Sequence, residues 1–469
     1  MKRTNLTSIL FLLSLLACSS SASRLTPSPA SIAVDQIEIQ SETLPSGYRA
    51  IIARTPPVPG RVPRIYVGSY VLHGTMQEDR FGWAHLIEHV VANNRSTIAG
   101  PPRPQGVEYI EGNALTRPYY TSFVSVLPSP LLAYAIHTRM ARAGRAENDS
   151  QVFTTQVGRV LDELDRDMKW VYPAYKAAVA MSIGQSPRLA DEINLVRTTN
   201  RQELAAAIAP IYRPDNAILV ITGDLNIDST RAIIRESDAR LRLSEVRSGA
   251  APAKVTPTLR MNQSAVVERQ NRTRQHIVAI AWAKPPLGHP DQLPLLIADQ
   301  LLLGRGSAVD DPVRSDSSAI AIRLARALGG SGFWDGRAGR WGAPDLIDTG
   351  PGVHAIVFKT DRKLTVDQVR DSVTGALRDV AKNSMSDAEI EIAKENLASF
   401  YERWFFEPLY RVLSDHLMAY VATGRDPNLV KQIPSQIRRI RPSAVRDAHD
   451  RYFVKGPSNV VILPPEQEP

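Results

Sequence analysis

The chain has 469 residues, 43% of them hydrophobic and 22% charged, which excludes global disorder and exceeds the length of one ordinary domain. A net charge of +8 and a pI near 9.5 would suit a nucleic-acid partner, but the arginines are dispersed and no basic–aromatic module accompanies them, so that class is set aside. A single cysteine, Cys18, excludes a disulfide framework.

Residues 1–17 read as a secretory signal, with Lys2 and Arg3 followed by the apolar run Ile9 to Leu16, which is too short to span a bilayer. The run ends in Leu15-Leu16-Ala17-Cys18, which resembles the bacterial lipobox. In that motif the cysteine is lipidated and becomes the first residue. Ordinary cleavage after Ala22 or Ser23 is the alternative. The non-acidic Ser19 goes with the outer membrane, so the expected location is the periplasmic side of a bacterial envelope, with the chain held by its lipid only. Residues 18–44 are expected to be the lipidated cysteine and a flexible tether, rich in Ser and Pro at first.

Two strands are predicted next, at Gly47 to Ala53 and Arg64 to Leu72. The segment Phe81-Gly-Trp-Ala-His85-Leu-Ile-Glu88-His89-Val-Val91 then reads as a helix packed into a core. His85 and His89 lie one turn apart on one face, with Glu88 on the same side. Two imidazoles so placed can each bring a nitrogen within about 2.0–2.1 Å of one zinc ion. The carboxylate between them can take a proton from the attacking water, as in the inverted zinc proteases. The same spacing also suits two hydrogen-bonded core histidines. A catalytic zinc needs a third protein ligand, and the candidate is Glu163. It borders the helical stripe Val157, Val160, Leu161 and Leu164, although in its charged surroundings Glu163 alone would read as solvated.

A strand at Tyr119 to Leu127, helices at Ser129 to Gly144 and Gln202 to Tyr212, and a strand at Ala217 to Thr222 complete the first half. Tyr212-Arg-Pro214-Asp-Asn216-Ala-Ile-Leu-Val is echoed near the C-terminus by Tyr452-Phe-Val-Lys-Gly-Pro457-Ser-Asn459-Val-Val-Ile-Leu, each copy following a helix. So distant an echo implies a duplicated domain. The boundaries are set at 45–242 and 260–469, with 243–259 as linker. The second half is expected to hold strands at His276 to Trp282 and Val353 to Phe358, and helices at Gln292 to Leu303, Val366 to Lys382, Ser386 to Tyr401 and Arg446 to Arg451. Its five histidines are scattered, so only the first half is equipped for metal.

The zinc motif, Val67-Gly68-Ser69 before it, Gly112-Asn113-Ala114-Leu115-Thr116 after it and Tyr212 through Asp224 together resemble the pitrilysin/insulinase family of zinc metallopeptidases, in that family's order. The resemblance implies an α+β fold of two homologous domains, each a mainly antiparallel sheet packed with helices. It implies one zinc ion held by His85, His89 and Glu163, with Glu88 as the catalytic base. Asn113 and Ala114 match the strand on which a substrate peptide pairs. Gln156 replaces a frequent second glutamate seven residues before the ligand, so outer tuning of the metal loses a charge. Arg326 and, seven residues on, Phe333 match an Arg/Tyr pair that helps hold the peptide, but Phe cannot donate to an oxyanion. The implied activity is zinc-dependent endopeptidase action on peptides or unfolded segments; the alternative is a non-catalytic scaffold or binding subunit of an envelope complex. The family closes its substrate chamber with two such halves. This chain is therefore expected to pair as a homodimer or, because Phe333 breaks the pair, as a heterodimer with a related chain.

Overall fold

A computed structural model of the chain describes residues 34–57, 63–78, 80–93, 100–144, 150–167, 172–246, 256–268, 271–303, 320, 323–324, 327, 347–406 and 410–465. Cys18, Arg326 and Phe333 lie outside these.

The first half builds a six-stranded sheet from β1 (Glu38–Thr43), β2 (Arg49–Arg54), β3 (Ile65–Val71), β4 (Glu111–Thr116), β5 (Thr121–Leu127) and β6 (Ala217–Gly223). The order is β1-β2-β6-β3-β5-β4, with β2 and β6 parallel and every other pair antiparallel. β3, β5 and β6 are buried at every residue, as unbroken apolar runs are when both faces of a sheet are covered. β6 ends on Gly223, at φ +149°, where a Cβ would lie 2.5 Å from the Arg64 carbonyl; only glycine fits so close an approach. The helices are α1 (Trp83–Asn93), α2 (Leu132–Gly144), α3 (Ser150–Asp167), α4 (Tyr172–Ser182), α5 (Leu189–Thr198), α6 (Arg201–Ile211) and α7 (Ile227–Arg240). The Asn200 side chain accepts from Glu203 N at 2.9 Å and starts α6 in a capping box.

The second half builds β7 (Ser264–Val266), β8 (His276–Lys284), β9 (Gly352–Thr360) and β10 (Ser458–Leu463) in the order β7-β10-β8-β9. Its helices are α8 (Gln292–Leu303), α9 (Val366–Ser384), α10 (Asp387–Trp404), α11 (Arg411–Ala422), α12 (Ile433–Arg439) and α13 (Pro442–His449). β7 and β10 are parallel, and β10 with β8 and β8 with β9 antiparallel. This repeats the directions of β2-β6-β3-β5, and β10 and β6 are the two echoed sequence segments. The fold is α+β with two homologous halves.

Each sheet is covered on one face by a helix from the other half. α4 lays Ala177, Ala178 and Met181 on Ile277, Ala279 and Val461 of the second sheet, and Asn459 Nδ2 donates to Ser182 Oγ at 2.7 Å. Reciprocally, α11 covers β3 and β6: Ser414 and Thr222 share a hydrogen bond of 2.9 Å, and Tyr70 OH donates to Asp415 Oδ1 at 2.8 Å. Buried polar groups need such partners, so these bonds fix which helix seats on which sheet.

Some elements depart from the sequence reading. Residues 38–43, placed in the tether, form β1, because Ile37 and Ile39 are buried and two glutamates of the strand face arginines: Glu38 meets Arg54 at 2.7 Å and Glu42 meets Arg235 at 2.6 Å. Leu243, at the start of the expected linker, packs in the first core. Gly112-Asn113, a pair that locally favours turns, lies inside β4, in agreement with the strand that the resemblance implies at Asn113 and Ala114. The helix expected at Arg446 to Arg451 starts earlier, at Pro442, a residue suited to the first helical turn, and ends at His449.

Candidate metal centre

α1 starts where the chain turns at Gly82, at φ +108° and so close to Glu192 that a Cβ would lie 2.5 Å from its Cγ. The Glu78 carboxylate accepts from Gly82 N at 2.8 Å and Ala84 N at 2.6 Å, satisfying donors that a helix start leaves free. Burial nevertheless pushes the Glu78 carboxyl up to about 8, against the pull of those two bonds. Leu86, Ile87, Val90 and Val91 sink into the first core, which turns His85 and His89 outward with side-chain exposures of 22% and 14%. α3 is anchored beside α1 by the buried Val160 and Leu164, and this carries Glu163 over the two imidazoles.

Glu163 Oε2 lies 3.4 Å from His85 Nε2 and 3.4 Å from His89 Nε2. That is longer than a charge-assisted hydrogen bond. Donors each about 2.0–2.1 Å from a tetrahedral ion are about 3.3 Å apart, so the spacing fits a shared zinc. One donor atom from each residue lies within 4.8 Å of the others, and among the described residues this is the one such group of three. His85 beside it is the main cause holding the Glu163 carboxyl below its ordinary range, against partial burial, with His89 and Arg166 adding to the effect.

Glu88 is buried on the same face of α1. Thr116 Oγ1, from β4, donates to Glu88 Oε2 at 2.7 Å, and Oε1 makes no hydrogen bond with any described residue. These groups border a cavity of about 650 Å³ that also reaches Phe81, the β4 residues 112–116, Arg139, Arg142, and the ion pair of Lys176 with Glu192 at 3.0 Å. β4 pairs with β5 along one edge only; among the described residues its other edge carries no strand. Asn113 and Ala114 sit on that edge, Asn113 exposed and Ala114 half-buried, beside the histidines. Gln156 is buried in α3 with its amide oxygen unpartnered among the described residues, as is the buried His85 Nδ1. Glu78 and the arginines escaped the sequence reading. Glu78 lies just outside the helix it caps, and Arg139 and Arg142 have the surface-like look of any helical arginine.

Residues 198–397 match the family model described as the peptidase M16 inactive domain, a stretch that begins after all three grouped donors. Comparison with curated proteins finds no match. A Helicobacter pylori protease superposes with a TM-score of 0.72 at 17% identity, over 92% of this chain and 100% of that one. The chain has the M16-like peptidase fold. A Pseudomonas fluorescens structure titled a peptidase M16 inactive domain gives 0.67 at 15% identity over 92% and 99% of the two chains. The periplasmic protease PqqL of Escherichia coli gives 0.59 at 15% identity, with 91% of this chain covering 47% of that one. On this M16-like frame the histidines, Glu88 and Glu163 belong to the half that precedes most of the matched stretch.

Proposed function

We propose that the chain is a zinc-dependent endopeptidase of the pitrilysin/insulinase type, acting on peptides or unfolded polypeptide segments in the cell envelope. The observation that carries this reading is the convergence of His85, His89 and Glu163 on one point of a cavity, with Glu88 beside them. A zinc ion held by those three groups would polarise a peptide carbonyl and lower the pKa of a water at its open position. The exposed edge of β4 takes the substrate backbone as an added strand, with Asn113 and Ala114 beside the bond to be cut. Glu88 takes the proton of the attacking water and passes it to the leaving nitrogen. Thr116 holds Oε2 of that carboxylate, which leaves Oε1 for the water.

Metal analysis of the purified protein tests this together with peptide cleavage. Near one zinc per chain is expected, lost in His89→Ala and kept in Glu88→Gln, with cleavage abolished in both. The second reading, a non-catalytic binding subunit, is favoured by the word "inactive" in the matched family description. Folded, zinc-free wild type without cleavage would select it.

The remaining assignments belong to the same proposal. With β1 and Leu243 included, the first domain runs from about residue 38 to 246 and the second from 260 to 469, and the chain is exported and lipidated at Cys18 on the periplasmic side. Among the described residues no helix is long and apolar enough to cross a membrane. A neighbour that is itself a periplasmic protease supports the location, and that neighbour's being about twice as long supports pairing with a second M16-like half, identical or related. A substrate role for Arg326, with Phe333 lacking the hydroxyl of the family's Tyr, belongs to the proposal on the resemblance alone, since both lie outside the described residues.

A further inference from the structure

Beyond the histidines the cavity runs under β4 to two arginines of α2. Arg139 is only 6% exposed. Its Nη2 donates to the Val124 carbonyl at 2.9 Å and to the Ser125 hydroxyl, while its buried Nε has no hydrogen-bond partner among the described residues. Arg142, one turn on, is half-buried and borders the same space. Among the described residues no carboxylate lies within ion-pair distance of either; the groups acting on both are the phenols of Tyr109 and Tyr134. Burial first, then the Arg142 charge, lowers the Arg139 pKa to about 9, which still leaves it cationic at neutral pH.

Two cations one turn apart and withdrawn from water repel each other, and a buried charge without a counter-charge is costly. Among the described residues only carbonyl, hydroxyl and phenol groups face the pair, so its positive charge stands open to a ligand of the cavity. β4 also passes close above them: a Cβ on Gly112 would lie 4.0 Å from Arg139 Nη2, an ordinary contact distance. A peptide paired along β4 therefore passes within side-chain reach of both guanidinium groups.

We propose that Arg139 and Arg142 form a specificity site for a carboxylate of the bound peptide, either an acidic side chain next to the scissile bond or a free C-terminal carboxylate. Guanidinium and carboxylate match in a planar, two-bond geometry, and the unpartnered Nε of Arg139 supplies one of the donors. The proposal rests on the peptidase reading for the peptide's placement, and its test is kept separate from turnover.

The test uses full-length Glu88→Gln protein and fluorescent peptides, with binding read by anisotropy. One series carries Glu or Gln at each position flanking the cleaved bond, with the C-terminus amidated; the other compares free and amidated C-termini on the Gln peptide. We expect a tenfold to hundredfold tighter binding, roughly the value of a charge-assisted hydrogen bond, in the series that holds the true source of the carboxylate. Adding Arg142→Gln should shrink the ratio to about threefold or less, and Arg142→Glu should turn the preference toward a Lys peptide. Arg139→Gln should act alike where circular dichroism shows it folded; Arg142, being half-buried, decides the matter otherwise. Equal binding within both series, or a preference that survives Arg142→Gln unchanged, overturns the proposal. Carboxylate-dependent binding by wild type that cleaves nothing would leave this site standing and remove the peptidase reading.

Discussion

The two halves share a four-strand frame, and each sends a helix out after the equivalent strand: α1 after β3 and α8 after β8. Both helices carry ionisable groups. On α1 they are His85, Glu88 and His89, bordering a cavity open to water. On α8 the group is Asp299, at 0% exposure and 3.7 Å from His354 of β9, itself at 1% and packed against Phe453 at 4.8 Å between ring centroids. A histidine and a carboxylate thus meet in both halves, but only one meeting place admits a ligand. Access, rather than the presence of the groups, separates a site from a core.

The comparison breaks most visibly at Glu88. Glu88→Gln should lower peptide cleavage by about a hundred- to ten-thousandfold, the usual share of a general base, with zinc and melting temperature kept. A drop in melting temperature alongside the loss would mean that Glu88 is a core residue like Asp299.

The exchanged helices sharpen the comparison next. Asp415→Ala removes the carboxylate acceptor of the buried Tyr70 hydroxyl, which keeps only its 2.7 Å bond with the Tyr66 hydroxyl, and should cost about 2 kcal/mol in denaturant unfolding. Ser182→Ala, its counterpart under the second sheet, removes two neutral bonds, from Asn459 Nδ2 and to the Ala178 carbonyl, but leaves Asn459 Nδ2 on the Arg260 carbonyl and should cost about 1 kcal/mol. Equal costs would refute the view that the charged contact seats α11.

Acid should act on the second half through His449. Burial pushes its pKa down to about 4, whereas in the unfolded chain it takes the ordinary value near 6.5. Below 6.5 the unfolded chain binds a proton that the folded chain refuses, so the stabilisation is complete above 6.5 and lost as pH falls toward 4. The loss should be about 2–3 kcal/mol, and His449→Phe should remove that part of the acid slope. An unchanged slope in the variant would assign the acid sensitivity elsewhere.

The smallest effect is expected at Arg438, which clasps Glu395 at 2.8 Å and Glu402 at 2.6 Å on the outer surface of the second half. Exposed pairs are screened, so Arg438→Ala should cost less than about 1 kcal/mol.

Much of this was legible in the sequence because it is local. The spacing of His85 and His89 sets their shared face, and the unbroken apolar runs at 65–71 and 217–223 mark strands buried on both sides. Glu163 was legible only through resemblance, because a glutamate among charges carries no local signal. What stayed hidden is long-range. Nothing in Ala177-Ala178 says that α4 leaves its own half, and nothing in Ser414-Asp415 says that α11 crosses back. The edge strand at Asn113 and Ala114 was legible only through resemblance, because Gly112-Asn113 locally argues for a turn and an edge is a property of the whole sheet. Arg139 carried no signal either: its burial comes from β4 and β5 closing over α2, which no helical period records.

The helix exchange also sets an order of assembly during synthesis. β3 and β6 are complete long before α11 has been made, so one face of the first sheet stays bare, with its buried tyrosines in water, while the whole second half is still being added. Contacts of such sequence separation form late and slowly, and an uncovered apolar sheet invites aggregation. Neither half expressed alone should therefore reach its native state, and a chain of this design has reason to be escorted until α11 has been made. Mixing separately produced halves, each supplying the helix the other lacks, is the condition under which folding should be recovered.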